Sequence, residues 1–484
     1  MKRYKLIAGA LALSLSCAML AGCGEPTAYV TAILPAETTN AGTNYTVTYS
    51  DGRTQTITVA NGKDGKNGED GVISIDEVYA KYQAVYGEIS YADFLDKYLS
   101  LSTANTSAIA KCLQSSMKVH TTFVESSSVI RPGMGGWTTA KSYGLAHHAG
   151  SAVIYKIEEN DTYIVTNYHV VYDNDADIEA NGGNTPKDIY CYLYGSEDDP
   201  ILTKQTDGVY GYSLYDFGEY GIPCTYVGGS ITSDIAVLKA KTSDIAAINA
   251  DFHAVTLAGE YCVGETAIAI GNPEGEGISV TKGIVSVDNE NIALKIDNVA
   301  RYYRSLRIDT SLYSGNSGGG LFNEKGELIG ITNAGNQEDQ NINYAIPIGI
   351  AAGTADNIIY YDRDGDNTTN GAYKITVGVT VQAENIKYVY NAATGRGNIR
   401  EDVVATEITD GSIAESIGIQ VGDKLVAFQI DGTEYDILRN FDVSDLLLKV
   451  RAGASINFRY IRGESEPCLG TPYTVPASAL AAIP

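Results

Sequence analysis

The sequence predicts a mainly β protein, and three observations predict it. From about residue 106 to 355, short apolar runs alternate with Gly, Asn and Asp turns. Helical 3.6-residue periods are scarce over that stretch. The whole chain is 44% hydrophobic with 51 Gly and 12 Pro, which suits packed globular units better than a collagen-like or low-complexity chain. Many short strands with turn signals lead to an all-β sandwich or a pair of barrels. Ser151–Ile157, Tyr163–Asn167, Asp234–Lys239, Thr266–Ile270, Gly283–Val287, Leu328–Thr332 and Tyr344–Ile348 are the predicted strands.

Lys2, Arg3 and Lys5 precede an apolar run from Leu6 to Leu20, followed by Ala21, Gly22 and Cys23. A positive end, a hydrophobic stretch and small residues before a cut make residues 1–22 a secretory signal. Leu20-Ala21-Gly22-Cys23 resembles the bacterial lipobox, which implies lipidation of Cys23 and anchorage to the outer face of a bacterial membrane within the cell envelope. Beyond it no apolar run reaches the roughly 18 residues of a spanning helix.

Residues 23–72 read as a spacer. Tyr45–Tyr49 and Thr54–Val59 flank Asp51-Gly52, a hairpin signal. Gly62, Gly65, Gly68 and Gly71 are too few and lack the Pro of a collagen helix, so that stretch is a linker. Residues 73–105 carry two capping-box spacings, Ser74 with Glu77 and Ser90 with Asp93, and so predict short helices. The domain with the short strands spans 106–355. An acidic linker at 356–371 follows, then a unit at 372–465 and a frayed tail at 466–484.

Charge narrows the partners. The chain has 34 basic and 59 acidic residues, a net charge of −25. Such a surface repels phosphate backbones and anionic lipid head groups, so nucleic acid is excluded as a partner and membrane attachment must be covalent. Cys112, Cys191, Cys224, Cys262 and Cys468 remain after the signal and the lipid site are set aside. They are odd in number and widely spaced, so they make no disulfide scaffold, though Cys191 and Cys224 are a candidate pair. No spacing of Cys or His suggests zinc, and the chemistry below requires no metal or cofactor. The acidic run Asp362–Asn367 lacks the Gly and Glu positions of a calcium loop.

Hydrolysis of a peptide bond by serine needs a hydroxyl, a base with pKa near 7, a carboxylate to orient that base, and donors for the oxyanion. His169 lies in Thr166-Asn167-Tyr168-His169-Val170-Val171, at the end of a β-rich run. Asp234 opens Ser233-Asp234-Ile235-Ala236-Val237-Leu238. Ser317 sits in Gly315-Asn316-Ser317-Gly318-Gly319-Gly320, where glycines allow a sharp turn and aim N–H groups at one point. The backbone N–H groups of Gly315 and Ser317 are the candidate oxyanion donors.

These three blocks resemble the catalytic blocks of the trypsin-like HtrA/DegP serine proteases. Ala269-Ile270-Gly271-Asn272-Pro273, Thr281–Ser286, Gly326–Ile331 and Asn343–Pro347 resemble that family's intervening stretches. The resemblance implies two six-stranded β-barrels, with His169 and Asp234 from the first and Ser317 from the second. It implies Ser317 as nucleophile, His169 as general base then acid, and Asp234 as orienter. It also implies that the strand at Gly330, Ile331 and Thr332 pairs with the substrate backbone, that unfolded or damaged exported proteins are the substrates, and that trimers are the usual assembly.

The sequence departs from the family at Gly320, where many relatives carry Pro. It also has a long segment 172–230 and a long loop 125–146 beside His147 and His148, both placed to cover or gate a cleft. The adjacent His147 and His148 point apart on an extended chain and read as a solvated loop. Ser311 stands where enzymes selective for Lys or Arg carry Asp, so small or medium apolar P1 residues are expected.

Residues 372–465 resemble a PDZ domain. Lys374–Val379 matches the carboxylate-binding loop and following strand, and Gly411–Val426 the helix, turn and strand block. Ser444–Arg451 matches the groove helix, and Ile456–Ile461 a closing strand. The resemblance implies capture of peptide C-termini by backbone groups at Val377, Gly378 and Val379. Two rival readings are a catalytically silent peptide-sensing or chaperone scaffold, and a signalling protease with one membrane substrate.

Overall fold

Strand pairing closes on itself twice in the computed structural model. The model describes residues 30–39, 42–49, 52–60, 79, 83, 100–133, 136–335, 341–362, 371–392 and 394–483. The signal sequence, Cys23, the spaced glycines and both capping boxes lie outside the described residues. The chain divides into residues 1–91 and 92–484.

In the first part, β1 (Val30–Thr39), β2 (Gly42–Tyr49) and β3 (Thr54–Ala60) form an antiparallel sheet. The β2–β3 hairpin pairs Thr48 with Thr54 and Tyr45 with Ile57. Gly52 turns it with φ of 83°. The sequence reading missed β1, whose alternation is broken by register shifts at Val30/Ala32 and Pro35/Glu37.

The second part opens with a helix, Ser100–Gln114, which runs through the boundary expected at residue 106. Its buried Ala108 and Cys112 explain why, since they seat it on the domain that follows. Six strands then close a barrel: β4 (Ser116–Gly133), β5 (Gly136–Ile157), β6 (Asp161–Thr166), β7 (Asp188–Leu193), β10 (Ile222–Ser230) and β11 (Ile235–Lys241). Between β7 and β10 the chain makes a separate hairpin of β8 (Ile201–Thr206) and β9 (Ser213–Asp216). The expected loop at 125–146 is a correction. It belongs to β4 and β5, whose ladder continues from Ser116↔Val153 out to Gly133↔Gly136.

β12 (Thr256–Leu257), β13 (Thr266–Gly271), β14 (Ser279–Lys295), β15 (Ala300–Ile308), β16 (Gly320–Phe322), β17 (Glu327–Gly335) and β18 (Asn343–Pro347) form the second sheet. Pairing of β17 with β18 closes it, leaving β12 as a parallel addition to β17. The core between the barrels includes Val153, Val165, Ile235, Ile270, Phe322 and Ile331. Replacing such a side chain by Ala typically costs about 2–5 kcal/mol. The fold is thus mainly β with a barrel pair, as the sequence implied.

The helix Ile348–Asp362 occupies the start of the expected linker, a second correction. Asp356 and Asp362 look solvated in the sequence, yet they accept hydrogen bonds from Tyr155 and Tyr163 of the first barrel. Buried Asn357 clamps the helix to the last unit through Tyr373 and the Leu448 carbonyl.

That unit contains β19 (Ala372–Ile375), β20 (Val379–Asn391), β21 (Arg396–Ile408), β22 (Lys424–Ile430), β23 (Thr433–Asp436) and β24 (Ser455–Ile461). Short helices at Ile413–Ile417 and Asp442–Leu446 pack on it. The expected frayed tail is instead β25 (Cys468–Leu469), β26 (Tyr473–Thr474) and β27 (Leu480–Ile483). β25 and β26 pair with β24, and β27 pairs with β19, so the backbone polar groups of the tail find partners. Among the described residues no helix is long and apolar enough to cross a membrane.

Candidate active site

β6 ends at Thr166, and a single 3-10 turn, Tyr168–Val170, presents His169. Asn167 before the turn is fully buried, and its Nδ2 donates to the Asp234 carbonyl at 2.9 Å. Asp234 stands one residue ahead of β11 with φ of 53°, in the left-handed region that Asp tolerates better than most residues. This conformation places a fully buried carboxylate against the turn. Oδ1 accepts the backbone N–H of His169 at 3.0 Å, and Oδ2 meets Nδ1 of the ring at 2.8 Å. Burial alone would depress the pKa of His169, but the Asp234 charge and hydrogen bond outweigh it and raise the value above 6.5.

The second barrel brings Ser317 to the same place. Gly315 and Gly318 have φ of 93° and 87°, so the chain doubles back around the serine. A side chain at Gly315 would fall on the Asn272 carbonyl oxygen, and one at Gly318 on Ser151 O and Thr166 Oγ1. The loop is held by Gly318 N–H to Thr332 O and by Thr332 Oγ1 to Asn316 O at 2.6 Å. Ser151 of β5 fixes it to the first barrel: its N–H donates to Ser317 O at 2.9 Å, and its Oγ to Gly315 O at 2.7 Å. Among the described residues the N–H groups of Gly315 and Ser317 have no intramolecular acceptor. They are available to an incoming anion.

The Ser317 hydroxyl donates to Asn333 O at 3.0 Å, and no bond to His169 is present among the described residues. Asn333 sits where the β17–β18 register shifts between Thr332 and Ala334. Its side-chain amide is buried, and neither Oδ1 nor Nδ2 has a partner. Sequence reasoning missed Asn333, Asn167 and Ser151. Asn167 lies inside the block around His169, but its bond to Asp234 O and those of Ser151 and Asn333 join distant parts of the chain.

The expected substrate strand needs correction. Gly330 pairs with Leu321 and Pro347, Ile331 with Gly320 and Ile346, and Thr332 with Ala345, all inside the barrel. Ile331 and Thr332 are buried, and Thr332 N–H is spent on Gly319 O. Both edges of those residues are taken, so an extended substrate cannot pair with them. The same strand past its bulge, from Asn333 to Gly335, is the part beside Ser317.

The long insertion reaches across both barrels. Asn174 Nδ2 donates to Ile296 O at 2.8 Å, and Glu197 Oε1 accepts Ile278 N–H at 3.2 Å. Tyr210, Tyr212 and Leu214 cover Val124, Tyr143 and Leu145 of the β4–β5 extension. His147 and His148 do point apart, but on a strand and not in a solvated loop. His147 Nε2 lies 2.6 Å from Nδ1 of His120, with the rings stacked, while His148 lies 3.8 Å from Asp173. Burial pushes His120 down to about 3, with His147 and Lys118 adding to the effect. Among the described residues no three His, Cys, Asp or Glu side chains gather as a metal site.

In the last unit, among the described residues, β20 pairs only with β21, and its other edge lies open toward the helix Asp442–Leu446. Between them lies a cavity of about 540 Å³, lined by Val377, Gly378, Val379, Val381, Val443 and Leu447 among others. Gly378 has φ of 73°, and a side chain there would strike Ser412. Val377 turns its side chain into the core, so it faces the groove with backbone alone.

Residues 150–331 match the family model described as a trypsin-like peptidase domain. The chain is 28% identical over 285 residues to the serine endoprotease DegS of Haemophilus influenzae, covering 58% of this chain and 64% of that protein. It is 28% identical over 294 residues to an HtrA-like serine protease of Staphylococcus aureus, covering 58% of this chain and 32% of that one. The chain therefore spans less than two thirds of the length of these curated relatives. Among solved structures it is similar to the HtrA-type protease AlgW with tripeptide, at 22% identity and a TM-score of 0.44, covering 78% of this chain and 98% of that one.

Proposed function

We propose that this chain, which carries a trypsin-like peptidase domain of the HtrA/DegS-like kind, is a serine-type endopeptidase of the bacterial cell envelope. The observation that carries the reading is the buried Asp234 carboxylate holding His169 by both its backbone and its ring, with Ser317 presented between two unoccupied N–H groups. Ser317 attacks the scissile carbonyl. His169 Nε2, left free because Nδ1 is engaged, takes the hydroxyl proton and later returns it to the leaving amine. Asp234 fixes the tautomer and stabilises the imidazolium, and Gly315 and Ser317 N–H groups hold the oxyanion. Before attack, the hydroxyl must rotate from Asn333 O toward His169, a short movement of the kind expected between free and substrate-bound enzyme.

Unfolded or damaged exported proteins are the proposed substrates, with small or medium apolar P1 side chains, since Ser311 supplies no buried charge for Lys or Arg. The residues from 372 onward act as a PDZ-like module. The open edge of β20, the Gly378 turn and the cavity beside Val443 suit strand addition by a peptide C-terminus. Lipidation of Cys23 would hold the enzyme on the membrane. The test is cleavage of unfolded casein by the ectodomain beside its Ser317→Ala counterpart. Degradation by the parent alone supports the proposal, whereas intact casein with both proteins, even after addition of C-terminal peptides, would leave the scaffold reading standing.

A further inference from the structure

We propose that Cys191 and Cys224 form a reversible disulfide that ties together the two feet of the insertion between β7 and β10. The inference rests on the placement of the thiols and not on the proposed activity. Cys191 lies on β7 and Cys224 on β10, the strands from which the intervening chain leaves the first barrel and to which it returns. These strands are antiparallel neighbours with Ile222 opposite Cys191, so Cys224 is on the same face, one diagonal step along. Cys191 is buried in the core of the first barrel, and half-buried Cys224 packs against that same cluster. The Cys224 thiol donates to Ile222 O at 3.5 Å, and both cysteines are free.

Bond formation asks the two strands to approach each other, and the ladder that joins them is the shortest in the barrel. The β7–β10 ladder has only two residue pairs, Ile222↔Cys191 and Pro223↔Tyr190, and Pro223 has no N–H to give it. The two sulfurs differ in access. The Cys224 contact and burial raise the Cys191 thiol well above its ordinary pKa, so Cys224 is the sulfur that meets an external oxidant first.

The Cys224 thiolate attacks a small external disulfide such as oxidised glutathione. The glutathione S–S bond breaks, a mixed disulfide forms on Cys224, and one glutathione thiolate leaves. Cys191 then gives its proton to that thiolate or to water and attacks the Cys224 sulfur, expelling the second glutathione. Two protein thiols lose two electrons, and one glutathione disulfide becomes two thiols.

Closure would secure the segment that carries Glu197 to Ile278 and Asp199 to Lys118. The redox state would therefore set how freely the insertion lifts from the barrels.

The test uses the full chain with Ser317→Ala, which prevents self-cleavage. Reduced protein is incubated with oxidised glutathione, alkylated without further reduction, and digested for mass spectrometry. The expected product is a cross-linked peptide joining Cys191 to Cys224, absent from Cys224→Ser and retained in Cys468→Ser. Nicking of residues 194–221 by an added protease should slow at least about tenfold on oxidation, and Cys224→Ser should keep the fast rate. Alkylated Cys191 and Cys224 after oxidation, glutathione stably retained on Cys224, or equal nicking in both redox states would overturn the proposal.

Discussion

Exchanging Asp234 for Asn tests the candidate site at its most constrained atom. Asn is nearly isosteric and accepts the left-handed backbone that φ of 53° imposes, so the fold around residue 234 is preserved. The electrostatics are not preserved. Asp234 offers two oxygens, one to the His169 backbone N–H at 3.0 Å and one to Nδ1 at 2.8 Å. Asn has a single oxygen. If it keeps the backbone N–H, its NH2 group faces Nδ1 and drives the ring proton to Nε2, where the Ser317 proton has to go. The imidazolium formed during attack also loses its charged partner. Triads of this design lose about 10⁴-fold in kcat on the same exchange, equivalent to about 5.4 kcal/mol at 1.36 kcal/mol per decade. Because substrate does not touch Asp234, KM should change little. The assay is steady-state cleavage of a peptide, with the melting temperature measured to verify folding. A folded Asp234→Asn protein that loses less than about thirtyfold in kcat, or whose loss lies in KM, would refute the reasoning.

Four further outcomes follow from the geometry. His169 must be neutral to act as base, so activity should fall with decreasing pH through an apparent pKa above 6.5, and the Asp234→Asn profile should shift to lower pH. The sign is opposite for stability. The His169–Asp234 ion pair stabilises the fold fully below the unfolded value of 6.5 and loses that contribution as pH rises through the higher folded value, a trend measurable by thermal melts across pH. Gly378→Ala forces a Cβ into left-handed backbone and against Ser412, so binding of C-terminal peptides, read by fluorescence anisotropy, should weaken at least about tenfold. Cleavage of a short peptide should stay within about twofold, because the atoms nearest a Cβ at Gly378 belong to Ser412 and Thr409 of the last unit. Arg439→Ala removes the cation shared by Asp288 of the second barrel and Glu401 of the last unit. Buried Asp288 would then lose its cation and half-buried Glu401 would keep only the Asn440 N–H, a cost of about 3 kcal/mol that should appear as a lower melting temperature and faster hydrogen exchange near Asp442.

The candidate site was legible because each of its three residues is embedded in a local pattern. A strand end precedes His169, an apolar strand follows Asp234, and glycines surround Ser317. The Asp51-Gly52 turn was legible for the same reason, since φ of 83° at Gly52 is a local demand. What escaped depends on contacts between distant residues. Asp356 and Asp362 read as linker until Tyr155, Tyr163 and Lys239 of the first barrel are seen to engage them. The tail reads as frayed until β19, more than a hundred residues earlier, pairs with its last strand. Gly330, Ile331 and Thr332 read as an open edge because the bulge in β17 that follows them leaves little trace in composition.

Gly320 opens β16, and a Cβ there would meet the Phe322 ring and approach Val153 Cγ1. The absence of a side chain at one position and the large ring two residues on are therefore a matched pair. Substituting Gly320 alone crowds the ring, while trimming Phe322 alone opens a void in the core between the barrels. Together the two changes partly relieve each other, so their energies do not add. A larger residue at 320 therefore becomes tolerable only beside a smaller one at 322, which couples the loop that carries Ser317 to the core between the barrels.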